Sequence, residues 1–311
     1  MTYIFGPVPS RRLGFSLGVD VIPFKTCTLD CVYCQLGRTT NKTVERKEYI
    51  SADKILKNIE KTLAAKKQQK IDYITFSGSG EPTLNLRLGY MIKKIKEFTS
   101  IRIAVLTNGT LLFSPSLQEE LQMADLVIPS LDASDEDTFR KINRPHHSLT
   151  LEKVIRGIES FSRNFQGRIW LEVMIVKNIN DSFEKMEKIA ELVEKMNIEK
   201  IQLNTPVRPP AEEFALPVPL SFLKKAKAIL GEKCEIIGEF EKTQEGLLKK
   251  DIQEAILSLI KRRPVTLKDI SSSLGVHQNE VIKYIRILQE KNLIHFKFHN
   301  EKKYFLPSPE I

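Results

Sequence analysis

Three cysteines fall within eight residues, in the order Cys27-Thr-Leu-Asp-Cys31-Val-Tyr-Cys34. Thiolates are soft ligands, and a C-x-x-x-C-x-x-C spacing suits either an iron–sulfur cluster or zinc. The two need different completions. Zinc closes a tetrahedron with a fourth protein ligand, and the first histidines of the chain, His146 and His147, lie more than a hundred residues further on. A 4Fe–4S cluster ordinarily takes four cysteines, and only Cys234 remains. A cluster on this loop alone would leave one iron open to a ligand that is not protein.

Three other polar stretches each follow an apolar run. The first is Ser77-Gly78-Ser79-Gly80-Glu81-Pro82-Thr83, whose glycines let a ligand approach backbone N–H and C=O groups, or simply make a turn. The second is Thr107-Asn108-Gly109, an ordinary turn pair taken alone. The third is Ser130-Leu131-Asp132-Ala133, in which Asp132 could equally cap a helix starting near Ser134. Arg11 and Arg12 could grip a carboxylate or phosphate, or be surface charge.

The elements that must position these residues alternate. Strands are expected at Ser16–Ile22, Ile71–Ser77, Arg102–Leu106, Ala124–Ser130, Arg168–Val176 and Lys200–Asn204, nearly all continuous runs of Val, Ile and Leu, as in strands covered on both faces. Helices fit between them, for example Ala52–Ala65 after a Ser51 cap and Ser182–Met196 after Asp181. Six such units predict a partial (β/α)6, TIM-like barrel, with chemistry in the loops at the carboxyl ends of the strands. Thr205–Ser221 carries five prolines and reads as a stiff connection or a substrate-lining loop.

From Lys250 the pattern changes to three short helices, with a Thr266–Asp269 capping signal, and a hairpin turning at HNEK. The expected organisation is a core domain over residues 1–238, a linker over 239–249 and a small winged helix-turn-helix domain over 250–311. On its third helix Val281, Ile285 and Leu288 form the buried stripe, while Asn279, Lys283 and Arg286 face outward, with Lys302 and Lys303 on the wing. Such a face suits nucleic acid or a docked peptide. Lys249–Ile311 holds twelve Lys and Arg against seven Asp and Glu, a large part of the chain's net charge of +9. With 41% hydrophobic and 28% charged residues, no apolar run of membrane-spanning length and no signal-peptide pattern at the start, a cytoplasmic location without membrane attachment is expected.

The cysteine motif, with Tyr33 before its last cysteine, resembles the signature of the radical S-adenosylmethionine superfamily. The resemblance covers roughly Phe15–Pro210 and favours iron–sulfur over zinc. It implies a 4Fe–4S cluster on Cys27, Cys31 and Cys34, whose open iron chelates the methionine amino and carboxylate groups of S-adenosylmethionine. One-electron cleavage to a 5′-deoxyadenosyl radical then serves hydrogen abstraction. By the same resemblance, Ser77, Gly78, Ser79, Gly80 and Glu81 look like the glycine–glycine–glutamate element, with Ser79 replacing its first glycine. Tyr33, Asn108, Ser130 and Asp132 become further cofactor contacts, and Met174 and Asn204 contacts to adenine or substrate, although plain packing suits Met174 better. The leader GPVPSRRLGFSLGVD is similar to iron–sulfur oxidoreductases related to the wybutosine-synthesis enzymes of transfer RNA. The resemblance implies an enzyme whose substrate is unidentified, RNA or another macromolecule delivered by the winged domain in the first reading and a protein or peptide in the second, supplied with electrons by a flavodoxin- or ferredoxin-like donor. The rival reading is a DNA-binding regulator that senses iron–sulfur or S-adenosylmethionine status. No side chain is singled out as a catalytic acid or base, and Cys234 reads as a buried inert thiol.

Overall fold

The computed structural model describes residues 3–10, 12–67, 69–237, 252–276 and 278–308, so that Arg11 and the expected linker 239–249 lie outside the described residues. The strands are β1 (Ile4–Ser10), β2 (Gly14–Val19), the two-residue β3 (Thr26–Cys27) and β4 (Asn41–Lys42), β5 (Tyr73–Phe76), β6 (Arg102–Leu106), β7 (Leu126–Ile128), β8 (Arg168–Met174), β9 (Lys200–Asn204) and β10 (Cys234–Ile236). Between them run α1 (Ala52–Ala65), α2 (Leu88–Phe98), α3 (Pro115–Leu121), α4 (Glu136–Ile142), α5 (Leu151–Asn164), α6 (Phe183–Glu194) and α7 (Leu220–Leu230). The main sheet has the order β1-β2-β5-β6-β7-β8-β9-β10, parallel from β2 to β10, with β1 antiparallel at one edge. It is a mixed α/β fold dominated by a parallel sheet.

Alternation along the strands sorts the core into two faces. Ile74, Phe76, Ile103, Val105, Val127, Ile169 and Leu171 pack with the helices, whereas Tyr73, Ala104, Leu126, Ile128 and Trp170 form a separate cluster with Leu13. Both faces being covered explains why β5 and β7 are buried at every residue.

The six expected strands all exist, and β6 and β9 have the expected bounds. Two further strands of the main sheet, and the short pair β3 and β4, are not anticipated from the sequence. The leader is an antiparallel hairpin, β1 with β2, and β10 follows β9 at the other edge. Cap chemistry also differs in detail. Ser51 precedes α1 without capping it; Glu48 Oε1 instead accepts from Ala52 N at 2.8 Å. Ser182, not Asp181, caps α6, and Asp135, not Asp132, caps α4. That last difference releases the Asp132 carboxylate for the site.

The C-terminal part contains α8 (Ile252–Arg262), α9 (Leu267–Leu274), α10 (Gln278–Glu290) and the hairpin of β11 (Ile294–His299) and β12 (Lys302–Pro307). Thr266 and Asp269 make the reciprocal capping box, and Gly275 ends α9 in the left-handed region at φ 62°. Ile256, Ile260, Ile270, Val281, Ile285 and Leu288 form its core, joined by Val8 of β1. Lys283, Arg286, Lys302 and Lys303 are exposed, while the Asn279 side chain lies outside the described residues. No helix among the described residues is long and apolar enough to cross a membrane.

Candidate functional site

Parallel strands present their carboxyl ends on one edge of the sheet, and the polar loops picked out above all leave from that edge. The cysteine loop leaves β2 and pairs at once with the glycine loop after β5. Lys25 N donates to Ser79 O at 2.6 Å, and Glu81 N donates to Thr26 O at 3.1 Å. A Cβ at Gly80 would stand 1.9 Å from Thr26 O, so this close approach requires glycine. The sequence pattern Gly-x-Gly after a strand therefore has a concrete cause.

Each thiol has its own N–H donor. Lys25 Nζ lies 3.2 Å from Cys34 Sγ, Asn108 Nδ2 3.5 Å from Cys27 Sγ and Asn143 Nδ2 3.4 Å from Cys31 Sγ. Donors aimed at sulfur stabilise thiolate charge and set the potential of a thiolate-bound cluster, so this donor set fits an iron–sulfur cluster. Among the described residues no three His, Cys, Asp or Glu side chains converge on one point fit for a single ion. A cluster differs from a single ion in that each thiolate binds a different iron. Burial pushes the Cys27 thiol up to about 12, helped by the negative charge of Glu81. Burial and then Asp132 push Cys31 well above the usual thiol range. Metal ligation must therefore release those protons.

Glu81 is buried, and its carboxylate is fully engaged. Oε1 accepts from Thr83 N at 3.1 Å, Thr83 Oγ1 at 2.6 Å and Thr107 Oγ1 at 2.6 Å, and Oε2 accepts from Asn108 N at 2.7 Å. It thus fastens the glycine loop to the end of β6 and turns away from the open side. Burial raises its pKa against the pull of those bonds. Asn108, held there, also donates to Thr28 Oγ1 at 2.7 Å, linking the β6 end to the cysteine loop.

Asp132 is the second buried acid. It accepts from Tyr33 Oη, from Asn143 Nδ2 at 2.7 Å and from Met174 N at 2.9 Å. Burial raises it to about 6 despite those donors. Tyr33 and Asp132, far apart in sequence, thus form one unit beside Cys31. Ser130 and Asp132 line a small hollow with Leu29, Asn108 and Asn143. Ser77 and Gly78 begin the glycine loop, and Ser79 bonds to Asp20 through both its N–H and its hydroxyl.

The remaining expectations divide. Arg12 is an internal group, paired with Glu172 at 2.8 Å, and Glu172 also accepts from Asn204 Nδ2 at 3.1 Å. The proline-rich segment is tied down over the cysteine loop. Glu212 N donates to Val32 O at 3.0 Å, and the Glu212 carboxylate meets Arg144 at 2.5 Å and Arg38 at 2.9 Å. Cys234 is buried at the amino end of β10, opposite Ile201, on the edge away from the other thiols; burial pushes it up to about 12. A broad outer cleft lined by Arg140, Glu152, Arg156 and Lys195 includes none of the cysteines. Lys25, Asn143, Asp20 and Glu172 were missed from sequence. Only Lys25 carried a signal, standing two residues before Cys27.

Comparison with known proteins agrees with this geometry. A model described as the Radical SAM superfamily matches residues 21–196. A UPF0026 protein of Methanocaldococcus jannaschii is 39% identical over 280 residues, covering 88% of this chain and 87% of the relative. The fold is similar to the solved radical SAM methyltransferase from Sphaerobacter thermophilus, with a TM-score of 0.57 and 20% identity over 71% of this chain and 65% of that one. It is also similar to the solved structure of anSMEcpe with bound AdoMet, with a TM-score of 0.50 and 18% identity over 68% of this chain and 57% of that one.

Proposed function

The chain belongs to the radical SAM superfamily of enzymes, which hold a 4Fe–4S cluster and S-adenosylmethionine, and from that premise we propose that Cys27, Cys31 and Cys34 ligate three irons while the strand-end loops hold the cofactor. The observation that carries this assignment is the separate N–H donor on each sulfur, from Asn108, Asn143 and Lys25. When bound, the pair of groups supplies one-electron cleavage of the sulfonium to methionine and a carbon radical. The protein's part is positioning. Backbone groups of Ser77–Gly80 face the methionine end, since the Glu81 carboxylate is committed to Thr83, Thr107 and Asn108. Ser130, Asp132 and Tyr33 border the side toward ribose and adenine. The chemistry sits in a partial (β/α)6 barrel formed by β2, β5, β6, β7, β8 and β9 with their helices.

The substrate we propose is RNA, presented by the C-terminal part acting as a winged helix-turn-helix. Two features support this reading. Lys283 and Arg286 are exposed on α10, and β11 displays Phe296 and Phe298, 45% and 64% exposed. Lys303 Nζ stands 3.9 Å over the Phe296 ring. Exposed rings beside cations stack unpaired bases and neutralise phosphates, as single-strand binders do. The leader's similarity to wybutosine-related oxidoreductases points to the same class of substrate.

The test is anaerobic reconstitution with iron and sulfide, followed by dithionite and S-adenosylmethionine. Release of 5′-deoxyadenosine is expected, with labelled transfer RNA retained on the protein. Zinc in the anaerobically isolated protein, or cleavage surviving Cys31→Ala, would overturn the site. Tight DNA binding without any cleavage would move the reading to a regulator.

A further inference from the structure

One of the polar ties between the C-terminal part and the core, among the described residues, runs to the neighbourhood of the glycine loop. Arg262, in the last turn of α8, lays its guanidinium over the Phe5 ring of β1 at 3.7 Å and reaches Asp20 Oδ2 at 3.6 Å. Both partners of this pair are largely buried, with side chains 16% and 11% exposed. Asp20 lies just past the end of β2, where the chain turns toward the cysteine loop. Its carboxylate does not stop at Arg262. Oδ1 accepts from Ser79 N at 3.2 Å, and Oδ2 accepts the Ser79 hydroxyl. It also lies flush against Gly78, where a Cβ would come within 2.9 Å of Asp20 Cγ and the backbone holds φ at 135°. One carboxylate therefore sets the conformation of the glycine loop on one side and receives a cation from another part of the fold on the other.

We propose that Arg262 is a positioning residue for the cofactor loop: by holding the Asp20 carboxylate it keeps Gly78–Ser79 in the shape that accepts the methionine end of S-adenosylmethionine, so that a partner displacing the C-terminal part loosens that loop. The physical basis is that a buried carboxylate is oriented by its hydrogen bonds from Ser79 and from the Ile22 backbone together with the facing Arg262 charge, and the loss of that charge lets the carboxylate rotate or draw in water. Two other polar ties between the described residues of the two parts go elsewhere. Tyr304 Oη donates to Val207 O at 2.5 Å and Lys297 meets Glu213 at 2.8 Å, both on the proline-rich segment. The proposal rests on Ser77–Glu81 being the cofactor loop, but the coupling itself does not.

Hydrogen–deuterium exchange on the full chain separates the two. Arg262→Gln is expected to speed exchange in the peptide spanning residues 77–81 roughly tenfold, the scale of removing one partner of a largely buried ion pair, and to raise the S-adenosylmethionine Kd of reconstituted protein by a similar factor. Arg262→Lys should recover much of both, and Lys297→Ala should leave that peptide unchanged. Asp20→Asn combined with Arg262→Gln should be no worse than Asp20→Asn alone. Unchanged exchange at 77–81 in Arg262→Gln, or additive effects in the double variant, overturns the proposal. Should Arg262→Gln fail to fold, Arg262→Lys and Lys297→Ala decide: a partial loss of protection at 77–81 confined to Arg262→Lys supports the proposal, and an equal loss in both assigns the effect to general docking and overturns it. Faster exchange with an unaltered Kd would keep the coupling and sink the cofactor assignment of the loop.

Discussion

The edge of the sheet and the C-terminal part use polar groups in opposite ways. At the sheet edge, Glu81 and Asp132 are buried and each held by several donors, one by Thr83, Thr107 and Asn108, the other by Tyr33, Asn143 and Met174 N. A buried acid held by three or four donors is fixed in orientation, and the loops it ties share that rigidity. In the C-terminal part the interior is largely aliphatic, with Phe305 buried in it, while Lys283, Arg286, Lys302, Lys303, Phe296 and Phe298 are exposed. Such a unit is held mainly by apolar burial. The lesson is a division of labour. Buried polar ties fix the loops at the sheet edge, and exposed apolar and cationic area is placed on the C-terminal part.

The comparison is broken most directly at the thiols. Cys31→Ala is expected to abolish both cluster retention, read as iron and sulfide per chain, and 5′-deoxyadenosine release. Next in size is Asp132→Ala, which strands three buried donors and should cost about 3 kcal/mol or more in urea unfolding, whereas truncation of exposed Phe298 should stay within roughly 0.5 kcal/mol. Equal costs at the two positions would erase the contrast.

The same acid gives a pH signature in metal-free protein. Burial raises Asp132 to about 6 from 3.8. The folded state then holds a proton that the unfolded state has released, so this contribution is complete below the lower value and lost as pH rises through the upper one. The stability of the protein relative to Asp132→Asn should fall by about 2 kcal/mol between pH 4 and pH 7, measured by denaturant titration at each pH. A flat difference would mean that the donors around Asp132 outweigh its burial. Glu81→Gln is expected to cost about 2 kcal/mol, because its amide must turn a donor toward Thr107 or Asn108 N–H. On the other side of the comparison, Phe296→Ala with Phe298→Ala should weaken RNA retention about tenfold in a filter assay while leaving uncoupled cofactor cleavage unchanged.

The sequence by itself determined most of the main elements and the clustering of the three thiols. Continuous apolar runs separated by amphipathic segments specify parallel strands covered on both faces, because period and burial are local properties. Cys27, Cys31 and Cys34 lie in one loop, so their proximity needed no tertiary information. The capping box at Thr266 and the left-handed Gly275 were legible for the same reason. Only the tertiary structure decided what surrounds the sulfurs. Asn143 reaches Cys31 across 112 positions and Asp132 meets Tyr33 across 99, and no local pattern marks either. It also decided direction, since Glu81 and Asp132 turn toward protein donors and Arg12 finds Glu172 inside the fold. Hydrogen bonds of this kind depend on which strand ends become neighbours, and that follows from the packing of the whole sheet rather than from any segment of it.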